Sequence, residues 1–318
     1  MSKVSTKVLV CDGLDKELFE SLKANPAFDV HPSAKNTQEQ IQELLPQMEA
    51  LVIRSATSVS ADTLEKAPNL KYVIRAGEGT DNIDKKSCAL KGVKVSNTPG
   101  ANNNSAAEHA FALMMSTLRK VPWANAKMTA GGWDKSLYVG NELWQKTVGI
   151  VGFGRIGQIL AKRLQGFDVN VLFYDPFITE SDLPYAKAAK DLNEVFSKSD
   201  IVSIHVPLME QTKNLITKSE LSLMKKQAIL INAARGKIVN EDDLYETLKN
   251  KNIKAAAFDV FATEPLEAES KLRTLDNLIL TPHVGASTEE AQIRVGQMVL
   301  NQLSEFFEKN NLLNEVKS

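Results

Sequence analysis

Short runs of β-branched and aliphatic residues alternate along the chain with longer stretches whose apolar positions recur every three or four residues. In the first third the strand candidates are 7–10 (KVLV), 50–54 (ALVIR), 72–75 (YVIR) and 93–96 (VKVS), with a weaker one at 28–30 (FDV). Between them lie amphipathic patterns such as DKELFESLKAN, which aligns Leu14, Leu18, Phe19 and Leu22 on one face. A second and cleaner series gives 147–151 (TVGIV), 169–174 (VNVLFY), 200–206 (DIVSIHV), 228–233 (AILINA), 253–260 (IKAAAFDV) and 277–281 (NLILT). Strands alternating with helices predict βαβ units and parallel sheets.

The two series are separated by TPGANNNSAAEH (98–109), a turn signal leading into an apolar helix predicted over 105–119. Ser105 with Glu108 reads as a capping box there, and Ser287 with Glu290 as another before the last helix. That last helix is positioned to return to the first domain. The expected fold is α/β, with two doubly wound parallel-sheet domains. Residues 1–98 and 288–318 form one. Residues 99–287 form the other, a Rossmann-type dinucleotide domain.

The 318 residues fit two domains, and 43% hydrophobic with 24% charged residues excludes wholesale disorder. A formal net charge of −1 argues against a nucleic-acid partner. No apolar run approaches the ~20 residues of a membrane helix, and the start, MSKVSTKVLVCDG, lacks a signal core. Cys11 and Cys88 alone make no disulfide framework and no multi-cysteine metal site, which fits a reducing cytoplasm. The histidines show no metal-ligand spacing, so no metal is expected.

Residues 148–157 read VGIVGFGRIG, placing Gly152, Gly154 and Gly157 as G-x-G-x-x-G between a strand and a helix. The first glycine serves the tight turn, the second the approach of backbone to a pyrophosphate, the third helix-on-strand packing. The helix start then presents N–H groups to phosphate. Asp175 ends the next strand, 18 residues past Gly157. A carboxylate there accepts from ribose hydroxyls and repels a 2′-phosphate, favouring NAD over NADP.

Ligands of open α/β sheets sit beyond the carboxyl ends of the strands. Three candidates lie there: Arg235 in NAARGKIVN, Glu264 in DVFATEP and His283 in TPHVGAST. Histidine takes a proton from an alcohol or returns one to an alkoxide. A carboxylate bonded to its ring fixes the tautomer. Arginine holds a carboxylate through two parallel bonds. Together the three suit proton-coupled hydride transfer. Of the other histidines, His109 lies in a helical pattern, His31 in a loop beside Pro32, and His205 near a strand end, with a structural or cofactor-packing role.

These stretches resemble the D-isomer-specific 2-hydroxyacid dehydrogenase family over nearly the whole chain. The resemblance implies catalytic roles for Arg235, Glu264 and His283, and a nicotinamide-amide contact at Asp259. It puts NAD on Gly152, Gly154, Arg155, Ile156, Gly157, Asp175, Pro207, Ala233, Asp259 and His283. In the first domain IRSATSVS (53–60) and VIRAGEGTDNID (73–84) resemble the D-3-phosphoglycerate dehydrogenase branch. By that resemblance the Ala76–Gly79 backbone (Ala76, Gly77, Glu78, Gly79) offers N–H groups to a substrate carboxylate. Arg54 and Arg75 follow two strands and suit a phosphate. Asn102 joins the substrate set, and Lys135 matches a basic position that reaches a neighbouring subunit's site. Glu78 departs from the family, which has a small apolar residue there, and this bears on substrate identity more than on reaction type.

The resemblance therefore implies a cytoplasmic NAD-dependent oxidoreductase that converts D-3-phosphoglycerate to 3-phosphohydroxypyruvate, the first step of serine biosynthesis. The domain of residues 1–98 and 288–318 would be flavodoxin-like and substrate-binding, and the substrate would enter between the two domains. The alternatives are a hydroxypyruvate or glyoxylate reductase, another D-2-hydroxyacid dehydrogenase, or a corepressor-like NAD(H)-sensing protein. With the chain ending near residue 318, the expectation is no serine feedback through a C-terminal regulatory domain. The helix 105–119 with Met114 and Met115, followed by Trp123, Trp133 and Trp144, together with the family resemblance, points to a homodimer.

Overall fold

The computed structural model describes residues 5–31 and 37–317. It divides into two compact units, Met1–Asn102 with Ser287–Ser318, and Asn103–Ala286. Pro32, beside which His31 was placed in a loop, lies outside the described residues. His31 itself ends a strand.

The first unit is built on β1 (Thr6–Val10), β2 (Phe28–His31), β3 (Ala50–Ile53), β4 (Tyr72–Arg75) and β5 (Lys94–Asn97). They form one parallel sheet in the order β2-β1-β3-β4-β5, the flavodoxin-like arrangement. Ile53 pairs with Arg75 and Arg75 with Asn97, so Arg75, Asn97 and the Arg54 that follows Ile53 share one carboxyl edge.

The helix Glu289–Lys309 belongs to this unit for a physical reason. Its Val295, Val299 and Leu303 are buried with Val8, Val10 and Ile74 of the sheet. Tyr72 is buried and lies 4.3 Å from the Phe306 ring. The Tyr72 hydroxyl meets Ser96 Oγ at 2.5 Å, Ser96 Oγ donates to Gln302 Oε1, and Gln302 Nε2 donates to Asn97 O. Every polar atom of that buried chain is thereby partnered. Burial pushes the Tyr72 phenol up to about 12.

The second unit carries β6 (Thr147–Val151), β7 (Asn170–Tyr174), β8 (Ala186–Ala188), β9 (Ile201–Ile204), β10 (Ile229–Asn232), β11 (Ala255–Phe258) and β12 (Leu278–Leu280). Their order is β12-β11-β10-β9-β6-β7-β8, all parallel. Read from β6 this is the 3-2-1-4-5-6 Rossmann order with one strand added, and its switch point lies between β6 and β9. All residues of β9, β10 and β11 are buried, as expected of strands covered on both faces. β8 was not foreseen: its AKA sequence has one buried residue and no apolar run.

Both predicted capping boxes are corrected. The apolar helix starts at Asn103, so Ser105 is a buried residue inside it rather than its cap. The last helix is capped by Thr288, whose hydroxyl accepts from Ala291 N–H; the third helical residue is therefore Ala291 and no glutamate reciprocates. Met114, expected at an interface, is core, packed with Leu113, Leu118 and Val148.

Candidate active site

The glycine loop leaves β6 at the switch point. Gly152 has φ +91°, and a Cβ there would lie 2.8 Å from His205 C and 2.9 Å from Val206 Cγ1. Only glycine fits that conformation and that approach. A Cβ on Gly157 would overlap Gly152 O, so the helix Arg155–Leu164 seats directly on the loop. Gly154 caps this helix without a side chain, and a Cβ there would meet nothing within 4 Å. That open helix start is the cradle a pyrophosphate requires. Arg155 and Ile156 form its first turn.

Phe153 holds the loop from beneath. It is buried and stacks on Phe173 of β7 at 3.8 Å between centroids and 12° between planes, a pairing worth about 0.5–1.5 kcal/mol beyond its burial. Its N–H donates to Asp175 Oδ2 at 2.8 Å, while Asp175 Oδ1 accepts from Phe177 and Ile178 N–H. A carboxylate has about four lone-pair positions. Asp175 uses one of them to tie β7 to the glycine loop and two to hold its own turn at 177–178, roles the sequence pattern did not reveal. His205, after β9, bonds Ser203 Oγ through Nε2 at 2.8 Å, and burial pushes its imidazole down to about 4, neutral at pH 7. Pro207 is exposed, and Ala233 packs on the core beneath β10.

At the carboxyl ends of β11 and β12 the structure brings His283 and Glu264 together. His283 Nδ1 lies 2.6 Å from Glu264 Oε2, and Glu264 Oε1 accepts from Phe261 N–H at 2.9 Å. Burial pushes the Glu264 carboxyl up, but the His283 bond, the Phe261 N–H and the His283 charge outweigh it and hold the group below its ordinary value. His283 has φ +52°, a conformation uncommon for a residue with a side chain. Asp259 imposes it. The Asp259 carbonyl accepts from His283 N–H, Oδ1 from Val284 N–H and the Thr281 hydroxyl, and Oδ2 from Gly285 N–H. His109 Nε2 adds a contact to Oδ1 at 3.2 Å. Burial alone would raise the Asp259 carboxyl; the His109 and Thr281 bonds, the Val284 N–H and the His109 charge lower it overall. With its side chain 1% exposed, Asp259 stands here as the internal anchor of 281–285. An amide contact at Asp259 would have to reach a carboxylate already serving that segment.

Arg235 follows β10 and is half-buried, with Nη1 donating to Ala234 O. Buried Asn232 shapes its turn by donating to Arg235 O and accepting from Ala234 N–H. Gly236 packs onto the Phe261 carbonyl, so the Arg235 and Glu264 loops abut.

In the first unit, Arg54 is half-buried, and its guanidinium makes no hydrogen bond or ion pair among the described residues. Asp12, at the end of β1, sets its backbone: Oδ2 accepts from Arg54 and Thr57 N–H, Oδ1 from the Thr57 hydroxyl. Arg75 Nη1 donates to Ala76 O. The expectation for the 76–79 backbone is corrected in part. Ala76 N–H already donates to Ile53 O and Gly77 N–H to Arg75 O, so these two amides are used within the unit. Glu78 Oε2 accepts from Gly100 N–H at 3.3 Å and its carbonyl from Asn97 Nδ2. Asn102 closes the first unit, and Lys135 lies exposed at the start of the turn Ser136–Tyr138 in the second. No group of three or more His, Cys, Asp or Glu among the described residues is placed to hold a metal ion.

Comparison with known proteins adds four relations. The family described as "D-isomer specific 2-hydroxyacid dehydrogenase, NAD binding domain" matches residues 111–285. A D-3-phosphoglycerate dehydrogenase of Methanocaldococcus jannaschii is 41% identical over 299 residues, 93% of this chain and 56% of that protein. A hydroxypyruvate reductase of Thermotoga maritima is 43% identical over 292 residues, 91% of this chain and 94% of that protein. The chain thus spans about half the length of the D-3-phosphoglycerate dehydrogenases it matches. Among solved structures, an NAD-dependent formate dehydrogenase from Staphylococcus aureus in complex with NAD superposes with a TM-score of 0.89 at 32% identity, covering 98% of this chain and 99% of that one.

Proposed function

The chain belongs to the D-isomer-specific 2-hydroxyacid dehydrogenase family, and on that premise we propose that it oxidises D-3-phosphoglycerate to 3-phosphohydroxypyruvate, reversibly. The observation that carries the reaction type is the His283–Glu264 pair, 2.6 Å apart at adjacent strand ends of a sheet whose glycine loop fits a dinucleotide. NAD, when bound, supplies the acceptor for the C2 hydride. Gly152–Gly157 would cradle its phosphates and Asp175 its adenosine ribose.

The remaining chemistry belongs to the side chains. Glu264 holds Nδ1 of His283 as the protonated nitrogen, leaving Nε2 to take the C2 hydroxyl proton as the hydride departs. In reduction the same nitrogen returns the proton. Arg235 pairs with the substrate carboxylate and polarises the neighbouring carbonyl. The phosphorylated substrate is supported by Arg54, an unspent guanidinium on the carboxyl edge of the first sheet. Such a substrate places the enzyme at the entry to serine synthesis.

One observation favours a second reading. The hydroxypyruvate reductase of Thermotoga maritima matches over nearly its full length, and Glu78 puts a carboxylate in the loop assigned to an anion. Reduction of an unphosphorylated 2-keto acid would keep every role above except that of Arg54.

Assembly as a homodimer is supported by the segment after the apolar helix. The helix Val121–Thr129 buries no residue, and Trp133, Leu137, Val139 and Trp144 are all more than half exposed. Lys135 lies within that segment, which suits the role assigned to it at a neighbouring subunit. Cys11 and Cys88 are buried thiols that form no disulfide, which suits the reducing cytoplasm. No described helix is long and apolar enough to cross a membrane.

Replacing His283 with Ala tests the proposal. Turnover should fall by about 10³-fold, in the range of general acid–base catalysis, with NADH affinity within about twofold of the parent. Retained turnover, or equal loss of NADH binding, contradicts the assignment.

A further inference from the structure

The sequence patterns drew attention to Glu264 but not to Glu241, the first residue of the helix Glu241–Lys249. An acid at that position ordinarily faces solvent and its own helix terminus. Here the Glu241 carboxylate is half-buried and turned onto another segment: Ala262 N–H donates to Glu241 Oε1 at 2.5 Å. The preceding amide, Phe261 N–H, donates to Glu264 Oε1 at 2.9 Å. Two carboxylates therefore grip consecutive amides of the stretch that carries Glu264. The stretch is closed on a third side by Gly236, where a Cβ would overlap Phe261 O and lie 2.9 Å from Ala262 N.

This arrangement is costly in isolation. Burial raises the Glu241 carboxyl, and Asp242 and Glu264 add to it against the Ala262 bond. Asp242, on the same helix, is itself paired with Lys271 Nζ at 2.6 Å. Glu264 in turn faces His283 and Asp259. A like charge held behind Glu264 is tolerated because it fixes the backbone from which Glu264 reaches His283.

We propose that Glu241 is a positioning residue for the hydride-transfer reaction: it locks the 261–264 loop so that Glu264 stays bonded to His283, and its negative charge stands behind that pair. The inference rests on the dehydrogenase reading. Glu241 touches neither substrate nor cofactor in this scheme.

The test compares Glu241→Ala, Glu241→Gln and Asp242→Asn in the full chain. Steady-state turnover is measured from pH 5 to 9 with whichever 2-keto acid the parent reduces fastest, and NADH binding is measured by fluorescence. Glu241→Ala leaves Ala262 N–H without its acceptor, so kcat should fall on the order of tenfold, the loss of one charge-assisted bond. NADH affinity and the melting temperature should stay near parental. Glu241→Gln keeps an acceptor oxygen and should restore kcat to within about threefold. It removes the charge, so the alkaline limb of the reduction profile, where the proton the pair must deliver is lost, should move to lower pH by about half a unit. Asp242→Asn should do neither.

Parental kcat in Glu241→Ala, or Glu241→Gln as slow as Glu241→Ala, overturns the positioning role. Rescue without movement of the limb overturns its electrostatic half. Equal losses in turnover and NADH binding indicate general collapse and overturn it as well. A parent that reduces no 2-keto acid overturns the dehydrogenase reading and this inference with it; an active parent with an indifferent Glu241→Ala overturns this inference alone.

Discussion

Gly152→Ala is the substitution whose cost the structure specifies most fully. The residue has φ +91°, where a side chain costs roughly 1–2 kcal/mol of backbone strain. The added methyl would also sit 2.8 Å from His205 C, 2.9 Å from His205 O and 2.9 Å from Val206 Cγ1. Two of those three atoms are backbone at the end of a buried central strand and cannot swing away. Overpacking of this kind costs about 1–3 kcal/mol. The sum, about 2–5 kcal/mol, should lower the melting temperature by about 5–15 °C for a domain of this size. If the loop relieves the clash by moving, it carries Phe153 N–H away from Asp175 and tilts the uncapped helix start at Gly154. NADH affinity should then fall at least tenfold. Thermal melts with and without NADH, beside a fluorescence titration, read both effects. An alanine variant that melts and binds like the parent would refute the geometric reasoning about this loop.

Other expectations follow from the same geometry. Glu264→Gln should lower kcat by about 100-fold, since the His283 ring loses its charged partner, with NADH affinity retained in a fluorescence titration. The Glu264 and Asp259 carboxyls sit below their ordinary values in the folded chain. Their stabilisation is therefore complete above the unfolded carboxylate range near pH 4 and is lost as pH falls through the lower folded values. Melting temperatures from pH 6 down to 3 should fall steeply at the acid end, and less steeply in Glu264→Gln. Asp175→Ala should narrow the preference for NADH over NADPH, measured as a ratio of kcat/KM. It should also loosen the loop through loss of the Phe153 N–H bond, so both cofactors should bind more weakly. Arg54→Ala should lower kcat/KM for a phosphorylated keto acid by about 10–100-fold, the worth of one charged hydrogen bond, and spare hydroxypyruvate.

How much of this was legible in the chain depends on the range of the interaction. The strands of both sheets announced themselves because buried parallel strands are continuous apolar runs. β8 did not, since Ala186–Ala188 forms an edge where one buried alanine suffices. The glycine triplet and the set Arg235, Glu264 and His283 were visible because strand ends of a doubly wound sheet face the ligand side. The supports of those residues were not. Asp12 bonds Thr57, Asn232 turns the Arg235 loop, Asp259 bends the backbone of His283, and Glu241 reaches Ala262. Most of these contacts span twenty or more residues and leave no local periodicity. Helix starts failed for a different reason. Ser105 and Ser287 stood in adequate capping sequences, but Asn103 is buried against the core and Thr288 lies one residue nearer the helix, so packing decided the boundary. The expected backbone donors at 76–79 do not include Ala76 and Gly77, whose N–H groups continue the β4 hydrogen bonding and turn.

The chemistry proposed for this chain is hydride transfer from a phosphorylated 2-hydroxy acid. Its most direct test is NADH oxidation with 3-phosphohydroxypyruvate beside hydroxypyruvate and glyoxylate, at equal low concentrations. The kcat/KM for the phosphorylated acid should lie well above the other two, with the excess abolished in Arg54→Ala. Preference for hydroxypyruvate or glyoxylate contradicts the substrate assignment while leaving the His283–Glu264 chemistry in place. No turnover of any of the three, with NADH bound normally, contradicts the dehydrogenase reaction itself.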